Sequence, residues 1–382
     1  MHLCFITHEY PKLGYAHGGI GSFVQTLARA CVKNNIKVSV VGMGYTDITE
    51  IESDQGVSVY RVGRSNVKYG GFIFNSFKLN AIIKKIHKEC PLSIIEGAEL
   101  DFAFITKIKN VHYTIRMHGG HHFFSKTLGK TINKWRGFKE KLSFKRADSF
   151  IAVTNFVGNK TAELLKKTIP FKCIYNFVDT QLFSPNPAIN TQKFKLVFVG
   201  TVCEKKGIRQ LLLALPKIKE KFPKVHLEVI GRDWLYPNGD SYIGYLKKNI
   251  DTQVFDSVTF RGAIPFDQIP EHLATAHVTV FPSHMESFGL TLIEAMAMEK
   301  PILASDIPPF KEIAGVNQEN VVLCNPHSEK EISENICLLF EDEQKAAIRA
   351  KLAAKRIAKL FEKDIIVQQN IAYYKNIELA KK

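Results

Sequence analysis

Two glutamates within residues 284–305 are the side chains whose spacing most clearly indicates chemistry. Glu286 and Glu294 lie in the segment HMESFGLTLIEAMAMEKPILAS, which directly follows the apolar run VTVFPS. A carboxylate that accepts hydrogen bonds from neighbouring hydroxyls is how proteins hold a ribose or a sugar. The pair therefore indicates a site for a hydroxyl-bearing ligand, and the alternative is two solvated glutamates favoured by the positive end of a helix.

Gly289 marks the predicted start of a helix between the two glutamates. The stretch LTLIEAMAM after it has helical spacing. A helix that begins near residue 289 leaves the backbone amides of Gly289, Leu290 and Thr291 without helical partners, and such amides form a ready anion site. Strand, glycine and helix follow one another in phase, and this context favours the functional interpretation of the glutamates.

The chain that must position these residues alternates short apolar runs with amphipathic segments, as α/β proteins with parallel sheets do. Helices are predicted at 20–34 and 155–167, among others. Strands are predicted at 2–7, 37–43, 57–63, 92–95, 112–117 and 149–154, and again at 194–200, 225–231, 258–262, 278–283, 301–305 and 321–324. We expect two doubly wound, Rossmann-like units that bind ligands at the carboxyl ends of their strands.

Two such units predict two domains that face each other across a cleft, which is a common ligand site. The polar, proline-containing stretch 184–192 predicts a linker between a first domain over 1–183 and a second over 193–362. A C-terminal helix over 363–382 is expected to return to the first domain.

Charge is unevenly distributed along the 382 residues. The formal net charge is +15, and residues 1–185 carry 26 basic and 13 acidic side chains, whereas the remainder carries 26 and 24. This excess predicts an anionic partner for the first half of the chain. With 45% hydrophobic and 23% charged residues the chain is not disordered or low in complexity, and no apolar stretch approaches the ~20 residues of a membrane-spanning helix.

The cysteines and the N-terminus predict a cytoplasmic protein. None of the seven cysteines forms a CxxC pair, as expected for buried thiols in a reducing compartment. The opening MHLCFITHEY lacks the basic region and long apolar run of a signal peptide and is typical of a buried strand.

Residues 126–146, KTLGKTINKWRGFKEKLSFKR, contain eight Lys or Arg side chains and a single acid, Glu140. Apolar residues recur there at three- and four-residue steps, which predicts an amphipathic helix. A basic helix with Trp and Phe on its apolar face is typical of an interfacial membrane helix. The alternative is a helix whose apolar face enters the core, but the similar segment 72–90 favours membrane contact. The predicted membrane and acceptor residues are Lys130, Lys134, Trp135, Arg136 and Lys139.

The segment PSHMESFGLTLIEAMAMEKPILAS resembles the nucleotide-sugar site of the retaining glycosyltransferases of sequence family four, which have the two-domain GT-B architecture. The resemblance extends over most of the chain and is strongest from about 195 to 315. Further matching motifs are VGTVCEKKG, EVIG and VTFRGAIP in the second half, and HGGIGSFV, TIRMHGG and IYNFVDTQLFSP in the first.

The resemblance implies a role for each matching residue. Glu294 would hold the ribose hydroxyls, and Glu286 would bind the donor sugar close to the reacting carbon. Lys206 would neutralise the diphosphate as it leaves, with Lys205 as the competing candidate. The remaining donor-binding residues would be Gly18, Gly19, Thr201, Arg232, Arg261, Ser287, Phe288, Gly289, Leu290 and Thr291. Family members often have an arginine at position 201, so Arg232 or Arg261 is a candidate replacement.

The resemblance also assigns a role to His118, which follows a predicted strand and would contact the donor sugar across the cleft. The amides of Gly18 and Gly19 would meet the diphosphate, although packing of a helix on a strand also requires glycine. His121 and His122 are adjacent and have no carboxylate or cysteine beside them, so no metal site is predicted. The GT-B reaction likewise requires no divalent ion or other cofactor.

We therefore predict a GT-B enzyme that moves a sugar, with retention of configuration, from a nucleotide-diphosphate donor to a hydroxyl of a lipid-linked or envelope-glycan acceptor. The donor would bind the second domain and the acceptor the first, with the enzyme peripheral on the inner face of the membrane. A first alternative is a nucleotide-sugar epimerase or hydrolase of the same architecture. A second is a basic nucleic-acid-binding protein, but no nucleic-acid motif is recognised and nucleic acid is not the expected partner.

Overall fold

The structure is a computed structural model that describes residues 1–15, 18–65, 67, 70–315 and 319–381. The chain divides into two compact units. The first unit comprises Met1–Asn176 and the segment that begins at Asp364, and the second comprises Phe177–Lys363.

The first unit is built on a sheet that has eight strands within the described ranges, in the order β3-β4-β2-β1-β5-β6-β7-β8. Neighbouring strands are parallel except β3 and β4, which are antiparallel. The strands are β1 (His2–Ile6), β2 (Lys37–Met43), β3 (Glu50–Asp54), β4 (Val57–Val62), β5 (Ile94–Gly97), β6 (His112–Met117), β7 (Ser149–Ala152) and β8 (Lys172–Cys173). The helices are α1 (Gly19–Lys33), α2 (Gly71–Glu89), α3 (His121–Thr127), α4 (Lys134–Arg146) and α5 (Asn155–Leu165).

The second unit contains an all-parallel sheet, six-stranded over the described residues, in the order β11-β10-β9-β12-β13-β14. Its strands are β9 (Lys195–Val199), β10 (His226–Ile230), β11 (Val258–Gly262), β12 (Val278–Phe281), β13 (Ile302–Ser305) and β14 (Val322–Cys324). Its helices are α6 (Ile208–Lys221), α7 (Tyr242–Asn249), α8 (Ile269–Thr275), α9 (Leu290–Ala297), α10 (Pro308–Ala314), α11 (Glu329–Glu341) and α12 (Glu343–Leu360).

Every strand predicted from the sequence is present, and most of them are buried along most of their length, where a strand covered on both faces is expected to be apolar. Two strands were not predicted. β3 is a polar edge strand whose three central residues are exposed, and β8 has only two residues.

The final helix, α13 (Lys363–Leu379), groups with the first unit from Asp364 onward. The division near Asn176 differs from the predicted linker at 184–192, which lies inside the second unit. The amide of Val178 donates to the Phe361 carbonyl at 2.9 Å, and the Lys363 amide donates to the Val178 carbonyl at 3.1 Å. These backbone hydrogen bonds attach the chain to the second unit several residues before the proline-containing stretch.

The prediction of one amphipathic helix over 126–146 is wrong. α3 ends at Thr127, Gly129 adopts a left-handed backbone conformation at φ +66°, and Asn133 caps the start of α4 by accepting a 3.0 Å hydrogen bond from the Arg136 amide. Helical periodicity continued across this break, but the glycine and the capping asparagine interrupt the helix. In the described part of the chain, no helix has the length and apolar character needed to cross a membrane.

Candidate functional site

In the second unit, the loops that follow β9 and β12 pack against each other through their backbones. Gly207 has φ +70°, and a Cβ atom there would lie 1.8 Å from the carbonyl oxygen of Pro282. The amide of His284 donates to the Lys205 carbonyl at 2.9 Å. Position 207 therefore requires glycine, and the contact brings the lysines of the first loop against the glutamate loop.

This contact places Lys206 beside Glu286. The Lys206 Nζ lies 2.5 Å from Glu286 Oε1, which also accepts a 2.9 Å hydrogen bond from the Ser283 hydroxyl. Burial opposes ionisation of Glu286, but Lys206 and Lys205 outweigh it, so the pKa of this carboxyl lies below its ordinary value. Glu286 is thus a fixed, ionised carboxylate.

Glu294 lies on α9 and has the opposite electrostatic environment. Burial raises the pKa of its carboxyl to about 7, and the charge of Lys206 offsets only part of this effect. The two glutamates therefore differ near neutral pH, since Glu286 is ionised and Glu294 is divided between its two forms.

Gly289 ends the loop at the start of α9, which begins at Leu290 as the sequence predicted. Its φ of +115° is a conformation that glycine adopts readily, and a Cβ atom there would lie 2.4 Å from Phe310 Cε1. No side chain caps this helix, and its first turn contains no acid. The positive, N-terminal end of α9 thus follows Glu286 closely in sequence, and its first turn contains no carboxylate.

The other predicted donor residues of the second unit lie at neighbouring strand ends. Thr201 is half-buried and Arg232 exposed, and the Val202 amide donates to the Arg232 carbonyl at 2.9 Å. Arg261 donates through Nε to the buried carboxylate of Glu228 at 2.7 Å. Within the glutamate loop Ser287 is half-buried and Phe288 buried.

Arg261 shares Glu228 with two further side chains. Lys195 lies 2.9 Å and His272 3.1 Å from the same carboxylate. Burial opposes its ionisation, but these three partners together lower the pKa of Glu228 to about 2. The structure thus gives Arg261 a partner within the fold, and its role in donor binding stays a prediction.

The first unit has its own cavity, of about 150 Å³, at the carboxyl ends of β1, β5 and β6. Polar side chains in its lining include His8, Glu9, Asp101 and His118. Burial, with a smaller contribution from the charge of Arg116, lowers the pKa of His118 to about 3. His118 is therefore a neutral imidazole, which can donate or accept a hydrogen bond but carries no charge.

Gly18 and Gly19 lie at the start of α1. The sequence left two roles for them, contact with the diphosphate and close packing of the helix. A Cβ atom at Gly18 would lie 2.5 Å from Glu9 Oε2, and one at Gly21 would lie 1.8 Å from the Glu9 carbonyl oxygen. Gly21, which we did not select from the sequence, is thus required for packing of α1 on the loop after β1. The diphosphate contact of Gly18 and Gly19 stays a prediction.

Two buried carboxylates hold the loop after His118, and neither was predicted from the sequence to be a site residue. Glu99 accepts a 2.7 Å hydrogen bond from the Gly119 amide, and burial raises its pKa to about 8. Glu140 accepts a 2.9 Å hydrogen bond from the His122 amide and contacts His122 Nδ1 at 2.5 Å. The run EGAELD directly after a predicted strand was the available signal for Glu99. Across the described ranges no group of three or more His, Cys, Asp or Glu side chains is arranged to hold a metal ion.

Two protein families match successive parts of this chain. Residues 17–182 match the family described as Glycosyltransferase Family 4, and residues 179–357 match the one described as Glycosyl transferases group 1. Together they cover nearly the whole chain, including both glutamates and His118.

Individual proteins are similar over the full length. An uncharacterized glycosyltransferase of Methanocaldococcus jannaschii is 24% identical over 98% of each chain. Among solved structures, the sucrose-phosphate synthase of Thermosynechococcus elongatus superposes with a TM-score of 0.86 at 19% identity over 99% of each chain. Anabaena HepE, solved in complex with UDP and glucose, superposes with a TM-score of 0.77 at 19% identity over 98% of this chain and 100% of its own. These likenesses confirm the predicted fold class, GT-B with two Rossmann-like units.

Proposed function

We propose that this chain, which belongs to the family 4 glycosyltransferases, moves a sugar from a nucleotide-diphosphate donor to a hydroxyl acceptor with retention of configuration. That it is a glycosyltransferase follows from the two matching families. The observation that carries the donor half of the proposal is the Lys206–Glu286 pair in the loop before the uncapped start of α9, with Glu294 buried on that helix.

The diphosphate would bind at the start of α9 and at Lys206. An ammonium group has three N–H donors, so pairing with Glu286 leaves donors of Lys206 for phosphate oxygens. Amides at Gly289 and Leu290 supply further donors, and the first turn of α9 contains no acid. Positive charge fixed where the leaving group gains negative charge is the largest expected catalytic effect.

The two glutamates would bind the two sugars of the donor. Glu286 is ionised and held by Ser283 and Lys206, so it can accept hydrogen bonds from hydroxyls of the transferred sugar. Glu294 would accept from the ribose hydroxyls. A nucleotide sugar as donor is further supported by the similar Anabaena protein, which was solved with UDP and glucose.

In the proposed reaction the bond between the anomeric carbon and the diphosphate oxygen breaks, and a bond from the same carbon to the acceptor oxygen forms. The acceptor hydroxyl gives its proton to the departing diphosphate, and Lys206 stabilises the negative charge. Attack from the face that the diphosphate leaves retains the anomeric configuration. The family resemblance supports retention, and this scheme requires no metal ion.

We further propose that the acceptor is lipid-linked or an envelope glycan, reached from the cytoplasmic side of a membrane, and that the first unit binds it. The support is the surplus of basic over acidic residues in the first half of the chain. The donor site does not explain that surplus, since its residues lie mainly in the nearly neutral second half.

A thermal-shift screen of the full chain across nucleotide sugars tests the donor proposal, because a ligand that binds the native state raises the melting temperature. We expect one base and sugar to give the largest shift, and Glu294→Ala to reduce that shift strongly. An exposed glutamate of the same unit, changed as Glu271→Ala, is the matched control and should keep the full shift.

Absence of any shift with nucleotide sugars, or an equal shift in Glu294→Ala, would contradict the proposed donor site. Consumption of the donor without an acceptor would favour the epimerase or hydrolase alternative. Tight binding of duplex DNA at physiological salt would favour the nucleic-acid alternative.

A further inference from the structure

An exposed cluster of aromatic side chains lies on the first unit. We call Phe72, Phe104, Trp135 and Phe138 the aromatic face. The rings of Phe72 and Trp135 are 5.1 Å apart, those of Phe104 and Trp135 5.8 Å, and those of Trp135 and Phe138 5.8 Å. Trp135 is 44% and Phe138 53% exposed. Soluble proteins rarely leave such a contiguous apolar surface to water unless it binds something.

The first turns of α2 extend this apolar surface. Ile73, Phe74 and Phe77 project from α2 beside Phe72, and Phe77 is 68% exposed. The buried residues of α2 are Leu79, Ile83 and Ile86, further along the helix. The start of α2 is therefore not needed to cover the core.

The aromatic side chains at the start of α4 face outward, whereas the core-helix alternative required the apolar face of this segment to enter the core. Its buried residues are Gly137, Glu140, Ser143 and Phe144, whereas its Trp and its first Phe face outward. The single acid of residues 126–146, Glu140, is fully buried against His122. The exposed charged side chains of α4 are consequently all positive.

Cations flank Trp135 and Phe138 in the sequence. Lys130, Lys134 and Arg136 are exposed. Lys139 Nζ lies 6.0 Å from the centre of the Trp135 ring. Aromatic rings rimmed by cations match the interface of an anionic bilayer, where rings enter the head-group boundary and cations meet lipid phosphates.

The aromatic face is close to the cavity of the first unit. Lys139 interacts electrostatically with Asp101, which lines that cavity. The amide of Phe102 donates to Ser143 Oγ of α4 at 3.0 Å. The segment 101–104 thus connects the cavity to the aromatic face.

We propose that the aromatic face, the start of α2 and the surrounding cations of α4 form a surface that docks on anionic lipid and brings the cavity beside it to the head-group layer. This inference rests on the proposed function, because docking serves the reaction only if the acceptor is membrane-bound and binds the first unit.

The test is co-sedimentation of the full chain with vesicles of phosphatidylcholine alone and of phosphatidylcholine with phosphatidylglycerol at about three to one. We expect binding to the anionic vesicles that weakens with salt. Neutralising Lys134 and Arg136 together, as Lys134→Gln with Arg136→Gln, should weaken binding roughly 25-fold, at about fivefold per charge. Trp135→Ser with Phe138→Ser should weaken it at least about tenfold.

Matched controls come from the second unit. Lys247→Gln with Lys248→Gln removes two lysines from α7, and Trp234→Ser removes a tryptophan that is 40% exposed. Both controls should bind vesicles within about twofold of the unchanged chain. Phe74→Ser with Phe77→Ser provides a second aromatic variant if Trp135→Ser with Phe138→Ser fails to fold, because neither side chain is buried.

No binding to anionic vesicles at low salt would overturn the proposal, as would equal losses in the controls and the α4 variants. Displacement from the vesicles by duplex DNA of equal charge at matched salt would also overturn it, in favour of a nucleic-acid partner. The nucleotide-sugar thermal shift is measured separately on the unchanged chain. A missing shift would overturn the proposed function, whereas missing vesicle binding with a normal shift would overturn the docking surface alone.

Discussion

Glu286 has partners on two sides that hold its carboxylate in one orientation. Lys206 lies 2.5 Å and Ser283 2.9 Å from the same oxygen. A glutamine at this position would keep the shape and lose the charge. We expect Glu286→Gln to lower kcat by about 10²–10³-fold, as loss of one preorganised electrostatic contact does.

Initial rates of sugar transfer measure this effect, and Glu271→Gln is the matched control on an exposed glutamate of the same unit. Full activity of Glu286→Gln would remove Glu286 from the reaction. A loss of activity together with a collapse of thermal stability would instead indicate a structural role.

Glu294 should make donor binding depend on pH near neutrality. Burial raises the pKa of its carboxyl to about 7, and the ionised form is the better acceptor for ribose hydroxyls. We expect donor affinity to rise between pH 6 and 8 in the unchanged chain and to stay level in Glu294→Gln. Isothermal titration at several pH values measures this dependence, and equal profiles for the two proteins would contradict it.

The raised pKa of Glu294 also affects the stability of the fold. Because the pKa in the folded protein lies above its ordinary value of 4.5, the folded state binds this proton more tightly. Stability is then lost as pH rises from about 4.5 to about 7. Glu294→Gln removes the penalty, so its free energy of unfolding at pH 8 should exceed that of the unchanged chain by about 3 kcal/mol, as a rise in pKa from 4.5 to about 7 implies.

At the scale of single elements, the start of α9 depends on a glycine. A methyl group at Gly289 would meet the Phe310 ring at 2.4 Å and would strain a backbone with φ +115°. We expect Gly289→Ala to cost about 2–4 kcal/mol of stability, the sum of backbone strain and overpacking, and to abolish the donor-induced thermal shift.

Gly239 is a matched control for this prediction. It also has a positive φ, +88°, but a Cβ atom there would have no neighbour within 4 Å. Gly239→Ala should therefore show only the backbone strain, about 1–2 kcal/mol. Urea denaturation measures the free energy of unfolding of both variants. An equal decrease in the two would show that the Phe310 contact contributes nothing.

The final helix, α13, attaches the C-terminal end of the chain to the first unit through a buried ionic network. Arg116 Nε donates to Glu96 Oε1 at 2.7 Å, and both side chains are almost fully buried. From α13, the Tyr374 hydroxyl donates to Glu96 Oε2 at 2.8 Å, and Asn370 Oδ1 accepts from Arg116. Buried charges of this kind must keep all their partners.

Tyr374→Phe should consequently lower the free energy of unfolding by about 1.5–3 kcal/mol, because it removes a hydrogen bond to a buried carboxylate. Tyr373 is the adjacent control, since its hydroxyl donates to the neutral Ser149 Oγ at 2.8 Å. Tyr373→Phe should cost about 0.5–1.5 kcal/mol. Urea unfolding of both variants measures the difference. An equal decrease in the free energy of unfolding would show that a hydrogen bond to the Glu96 carboxylate stabilises the fold no more than one to a neutral hydroxyl.

Much of this architecture was accessible from local patterns. The buried strands were predicted because a strand covered on both faces is apolar along its whole length. Glu286, Gly289 and Glu294 were found together because they lie within one loop and the helix that follows it. Features that a few neighbouring residues specify, such as a strand, a glycine turn or a helix start, could therefore be predicted from the sequence.

Contacts between residues far apart in the chain became visible only in the three-dimensional fold. Lys206 and Glu286 are 80 positions apart, and Arg116 and Tyr374 are 258 apart, so no local pattern pairs them. The orientation of α4 is the clearest case. Its periodicity predicted an amphipathic helix whose apolar face either enters the core or is turned outward to a membrane, and it could not by itself choose between the two. His122 offers Glu140 a buried partner, so the acid turns inward while Trp135 stays outside. Periodicity reports how residues alternate around a helix, whereas the contacts available on each side decide which face is buried.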